Sequence, residues 1–173
     1  MKLRLIIGLI FLLLTACQPV NTTLPNAGVK ENYVKPDSPD PIAGDYVKAR
    51  PFSIVLTDVQ QKKQLTLNGT SHKADIAYLT VSIGIINQSS QPVTIQPDMF
   101  RLIDDQGNVF EPDISLDLLL NGRGKGFFHQ QIEPLERKNV MLIFDTKVGV
   151  NQGYLEITGG PQSIKKAHIR LLK

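Results

Sequence analysis

The run Ala77 to Asn87, Ala-Tyr-Leu-Thr-Val-Ser-Ile-Gly-Ile-Ile-Asn, sets Ala77, Leu79, Val81, Ile83 and Ile85 on alternate positions, with Thr80, Ser82 and Gly84 between them. That period of two belongs to a strand with one buried face, and it predicts the central strand of a β domain. The alternation recurs along the chain. Phe52 to Val59 predicts a first strand with Ile54 and Leu56 inward, and Leu65-Thr66-Leu67 a shorter one after a polar turn. Val93 and Ile95 follow the turn formers Asn87-Gln88-Ser89-Ser90-Gln91-Pro92. Met99 to Ile103 and Val109-Phe110-Glu111 flank Asp104-Asp105-Gln106-Gly107-Asn108, a hairpin loop with Gly107 in the left-handed position. Phe127 to Ile132, Asn139 to Asp145, Tyr154 to Thr158 and Ile164 to Leu172 complete the strands, with Gly159-Gly160-Pro161 as the last turn.

One segment leaves this rhythm. Asp113 can cap a helical turn through Ile114, Leu116 and Leu118 to Leu120, with Gly122 as its stop. The expected architecture is therefore all-β, an immunoglobulin-like Greek-key β-sandwich over residues 51–173 with one short helical insertion.

Ahead of it the pattern is of another kind. Lys2 and Arg4 precede an unbroken apolar run from Leu5 to Leu14, too short for a permanent transmembrane helix, and Leu14-Thr15-Ala16-Cys17 follows. These four residues resemble the bacterial lipobox. The resemblance implies that residues 1–16 are a lipoprotein signal peptide, that Cys17 is lipidated and becomes the new N-terminus, and that palmitate-type chains hold the protein to a membrane. Two or three such chains give a stable anchor where one is marginal. The sorting logic of such proteins gives Gln18 in second place an outer-membrane, periplasm-facing destination. Residues 17–50 are then the lipidated Cys and a disordered tether, polar and marked by Pro19, Pro25, Pro36, Pro39 and Pro41. The chain from Gln18 to Arg50 has a mean span of roughly 30 Å.

Composition narrows the function. The chain has 173 residues and a formal net charge of +3, and loss of Lys2 and Arg4 from its 19 basic residues leaves 17 against 16 acidic ones. A near-neutral mature protein lacks the concentrated basic face that a nucleic-acid partner requires. A single Cys excludes an internal disulfide, so an apolar core must hold the fold.

Val81-Ser82-Ile83-Gly84-Ile85-Ile86-Asn87, the stretch Phe100 to Phe110, and Met141-Leu142-Ile143-Phe144-Asp145 resemble the telokin-like, immunoglobulin-like domain of unknown function found in bacterial lipoproteins and secreted antigens. The resemblance covers about Phe52 to Leu172. It departs at Pro134-Leu135-Glu136, where that family has Pro-Gly, and at Ile114 to Gly126, which is longer than its usual connection. It implies a fold and an envelope location, and it brings no catalytic residues.

The residues themselves agree on chemistry. His72, His129 and His168 have no metal-ligand spacing, Asp104 to Asn108 lacks the alternating carboxylates of a calcium loop, and no Ser, His and acid form a group. No cofactor, metal or catalytic residue is expected, and the protein reads as a non-enzyme. The loop Asn121-Gly122-Arg123-Gly124-Lys125-Gly126, with Phe127 and Phe128 behind it, is the candidate contact loop: Arg123 and Lys125 suit an anion, and exposed apolar neighbours would mark docking. The alternating basic and apolar residues from Lys166 to Lys173 predict an amphipathic strand with a solvated or edge-protecting charged face. The expected function is a binding or interaction module with an envelope protein partner. A structural accessory subunit of a larger envelope assembly is the alternative.

Overall fold

The longest alternating stretch of the chain folds into its longest strand pair. A computed structural model describes residues 46–120, 126–160 and 166–172; the expected signal peptide, Cys17 and the tether as far as residue 45 lie outside the described residues. Strands β2 (Phe52–Leu67) and β3 (Thr70–Asn87) form a hairpin that turns at Asn68-Gly69, with φ of 50° and 79°. Positive φ at both central residues is the geometry for which Asn-Gly is suited, and its twist matches the strands it joins.

Strand β1 (Tyr46–Ala49) flanks β2, and β8 (Arg137–Thr146) flanks β3, giving the antiparallel order β1-β2-β3-β8. The second sheet has the order β10-β9-β5-β6, from β5 (Phe100–Asp104), β6 (Val109–Phe110), β9 (Gly153–Thr158) and β10 (Lys166–Leu172). A small ribbon pairs β4 (Val93–Thr94) with β7 (Gln131–Ile132), and helix α1 (Ile114–Leu120) lies between β6 and β7. The chain leaves sheet one after β3, crosses to sheet two, returns as β8 and crosses again. The architecture is a Greek-key β-sandwich with one short helix, as the hydrophobic pattern predicts.

The core lies between the sheets. Ile54, Leu56, Leu79, Val81, Ile83 and Ile85 face Phe100, Leu102, Leu155, Ile157 and Ile169, all at most 1% exposed. Burying side chains of this size contributes about 1.5–3 kcal/mol each, and with no disulfide available this contribution holds the layers together.

Three expectations change. Tyr46–Ala49, assigned to the tether, is a strand registered from Tyr46↔Val55 to Ala49↔Phe52 with Val47 and Ala49 buried, so the sandwich begins before residue 51. The polar stretch after Val59 is not a turn: β2 continues through it, with Gln60↔Thr80 and Lys62↔Tyr78 paired. Polarity there marks solvent exposure on a strand whose backbone is satisfied by β3. The strand expected over Phe127 to Ile132 shrinks to Gln131–Ile132, because the two aromatic rings turn into the core.

The loop Asp104 to Asn108 is the expected hairpin. Asp104 is 2% exposed; its Oδ1 accepts from the N–H groups of Gln106 and Asn108 at 2.9 and 2.8 Å, and its Oδ2 from Asn108 Nδ2 at 2.7 Å. Gly107 takes φ of 80°.

Candidate functional site

Helix α1 starts where the sequence predicts. The Leu116 N–H donates to Asp113 Oδ1 at 2.9 Å, an N-cap, while the Asp113 N–H donates to the Ile143 carbonyl of β8 at 2.7 Å. At the other end Asn68 Nδ2, on the β2–β3 turn, donates to the Leu119 carbonyl at 2.5 Å. These bonds lay the helix between the rim of β8 and the hairpin tip.

Its apolar residues exceed what one side can bury. Leu116 is 5% exposed and packs with Leu65, Leu67, Ala74, Tyr78 and Ile143 in a satellite core, separate from the main one. The hairpin reaches this cluster through a register break, in which a single residue of β2 (Lys63) opposes Ala74 to Ala77 of β3. Ile114 and Leu118, one turn apart on the helix, remain 42% exposed, and Leu119 37%. A seven-residue helix carrying Ile and Leu around its circumference has one side for the sheet and leaves the rest to water.

The candidate contact loop divides. Arg123 and Lys125 lie outside the described residues. Phe127 and Phe128 are 3% and 5% exposed, with ring centroids 5.4 Å apart and 6.0 and 6.3 Å from Phe100. They belong to the core, so the contact surface does not include them; aromatic rings of this area are driven inward once sheet two closes over them. Buried Asp117 of α1 accepts from the Phe128 N–H at 3.4 Å, and its carboxylate occupies the space a side chain at Gly126 would need. This explains a glycine immediately before the two rings.

Beside α1, Tyr78 sits on the same outer face of sheet one. Burial raises its phenol above the usual 10.0, and the negative charges of Asp145, Asp113 and Asp75 add to that.

The outer face of sheet two carries the basic C-terminal pattern. Lys166 Nζ lies 3.1 Å and His168 Nε2 3.2 Å from the carboxylate of Glu156, with Arg101 directly opposite on β5. The Arg170 guanidinium lies 6.0 Å from the Tyr154 ring centroid. Burial alone would raise the Glu156 carboxyl; the hydrogen bonds and charges of His168 and Lys166 outweigh it and hold the group below its usual 4.5. The alternation from Lys166 onward is thus an amphipathic strand, with Ile169 and Leu171 inward and the charges outward.

The histidines do not converge. His72 pairs with Leu65 at the hairpin tip, His129 donates its backbone N–H to Ile95, and His168 belongs to the Glu156 cluster. Among the described residues no group of three or more His, Cys, Asp or Glu is placed to hold a metal.

Sequence reading missed Ile76 and Val148, 47% and 42% exposed beside the pair Ala77↔Thr146 that ends β8. Their signal was that each falls outside the alternating runs.

A family model described as a domain of unknown function, DUF4352, matches residues 42–167. The chain is also similar to solved structures. The yjhA protein of Bacillus subtilis matches with a TM-score of 0.54 and 11% identity over 75% of this chain and 97% of that one. The secreted protein MPT63 of Mycobacterium tuberculosis matches at 0.52 and 10% over 78% and 96%. The lipoprotein candidate ycdA of Bacillus subtilis matches at 0.50 and 16% over 73% and 38%. At these identities the likeness is one of fold. No curated protein matches the sequence significantly.

Proposed function

The chain belongs to the DUF4352 family of domains of unknown function, and from that premise we propose that it is a lipid-anchored envelope protein whose sandwich serves as a binding or assembly module. The anchor is Cys17 behind its lipobox-like Leu14-Thr15-Ala16, and Gln18 favours the periplasmic face of the outer membrane. That a secreted protein and a lipoprotein candidate carry the same fold is in keeping with this location.

The observation that carries the module reading is the exposed apolar side of α1. Ile114, Leu118 and Leu119 stand in water on an insertion that is capped and tied down at both ends, so their exposure is held in place by the fold. The buried polar groups, by contrast, serve the fold: Asp104 closes a hairpin, Asp117 meets the Phe128 N–H, Asn87 bonds across a turn, and Thr146 donates to the Ala77 carbonyl. The reading is of a contact surface and not of a reaction centre.

Fractionation of cells carrying the Cys17→Ser variant tests the anchor: the protein is expected in the soluble fraction, and retention on membranes overturns the assignment. Mild crosslinking of wild type and of an Ile114→Ser, Leu118→Ser double variant tests the surface. Adducts that survive the double substitution unchanged rule out α1 as the contact.

A further inference from the structure

The rim where β3, β8 and α1 meet carries negative charge that the fold leaves unmatched. Asp145 lies directly opposite Tyr78 in the β3–β8 register, Asp113 caps α1 and donates its N–H to Ile143 on β8, and Asp75 stands three positions before Tyr78 on β3. The charges of all three reach the Tyr78 phenol. Among the described residues none of the three carboxylates is in an ion pair, and exposed Lys147, two positions beyond Asp145, pairs with none of them. Asp145 Oδ1 is buried without a hydrogen-bond partner, and the hydroxyl of Tyr78, a residue 6% exposed, has none among the described residues.

Two requirements follow for whatever covers this rim. Three like charges around a buried phenol lower their energy only by meeting an opposite charge, and the two unpartnered oxygens call for a donor. A cationic side chain supplies both. Among the described residues no carboxylate group is placed to hold a metal ion, whereas a lysine ammonium brings its charge on a flexible apolar stem and needs no fixed set of ligands. The stem has a matching frame. Ile114 and Leu118, one turn apart on α1, and Ile76 and Val148, beside the neighbouring pair Ala77↔Thr146, are 42–47% exposed.

We propose that this rim receives a basic amphipathic segment of a protein partner, whose lysine or arginine heads lie among Asp75, Asp113 and Asp145 beside the Tyr78 hydroxyl while its apolar residues pack on Ile114 and Leu118. This deepens the module reading of α1 and rests on it; what it adds is the partner's sign of charge. Acidic partners meet repulsion from the same three carboxylates, so the rim selects as well as binds. The unmatched charge also belongs to the free protein, where it is a penalty. Binding relieves it, which makes the contact stronger than its apolar area alone would give.

The test uses the full chain carrying Cys17→Ser, so that no lipid competes, and two dye-labelled amphipathic peptides that share one leucine face and differ only in carrying lysines or glutamates elsewhere. By fluorescence anisotropy the lysine peptide is expected to bind at least about tenfold more tightly than the glutamate peptide, and more tightly still at low salt. Combined Asp75→Asn, Asp113→Asn and Asp145→Asn should weaken it about tenfold, with Asn at 113 still able to cap α1. Asp98→Asn, Glu133→Gln and Glu136→Gln remove as much charge away from the rim and should change it less than about twofold. Equal weakening by the two triple variants, equal binding of the two peptides, or binding of neither overturns the basic partner. If peptides of either sign bind alike but Ile114→Ser with Leu118→Ser weakens both, the α1 surface stands and only its charge preference falls. Binding that ignores those two serines overturns the α1 reading and the proposal together. Circular dichroism verifies folding, and Asp75→Asn alone, at an exposed position, should weaken the lysine peptide about twofold should the triple variant not fold.

Discussion

Asn87→Asp changes one atom and should destabilise the sandwich at neutral pH. Asn87 is 0% exposed at the end of β3, and its amide uses every bonding capacity it has. Nδ2 donates to the Gln91 carbonyl at 2.8 Å and to the Ile132 carbonyl at 2.9 Å, while Oδ1 accepts from the Ser89 N–H at 2.9 Å and the Ser89 hydroxyl at 2.7 Å. One side chain thus ties β3 to the turn before β4 and to β7. In the variant the two donations become contacts between a carboxylate oxygen and two carbonyl oxygens. The Gln91 carbonyl keeps the Ser89 hydroxyl within 2.8 Å, so the loss falls mainly on the buried bond to the Ile132 carbonyl and on the repulsion that replaces it, about 2–3 kcal/mol in all. That is a sizeable part of the roughly 5–15 kcal/mol that holds a domain of this size. Because its neighbours are acceptors in a dry site, the introduced carboxyl titrates above its unfolded value of about 3.9. A raised folded pKa means the variant keeps its stability below the unfolded pKa and loses it as pH rises through the folded one. The gap to wild type should therefore narrow as pH falls toward 4, when protonation restores one donor. Urea unfolding followed by circular dichroism at several pH values measures this. A penalty under about 1 kcal/mol at pH 7, or one independent of pH, refutes the reasoning.

Gly159 lies where an added Cβ would collide with the Arg50 carbonyl in the β1–β2 turn, so Gly159→Ala should cost about 1–3 kcal/mol and lower the melting temperature; an unchanged melt means the turn shifts freely. The Glu156 carboxyl, held below 4.5 by His168 and Lys166 against its own burial, contributes stability that is present above its unfolded pKa and lost as pH falls through its folded one. Glu156→Gln should flatten the acid limb of the urea midpoint between about pH 5 and pH 3, and an acid limb identical to wild type would count against the ion cluster.

The sequence by itself determined which residues go inside. A period of two needs only neighbours along the chain, and Leu79, Val81, Ile83 and Ile85 are buried as their alternation requires. Local chemistry was equally legible in the Asp113 cap of α1 and in the Asp104 hairpin, because each is closed by bonds spanning a few residues. Tertiary structure decided what depends on distant partners. Tyr46–Ala49 is a strand only because β2 offers it an edge, and the polar middle of β2 is a strand only because β3 lies beside it. Phe127 and Phe128 could by sequence be either core or part of a contact surface beside the glycine-rich loop, and their rings packed against Phe100 decide for the core. The leucines of α1 are alike in sequence, and the packing of Leu116 on Ile143, which left Leu118 in water, came from a contact with a strand more than twenty positions away. Burial of a period-two face follows from the chain's own geometry, whereas exposure of an apolar residue depends on which neighbours in space lie over it.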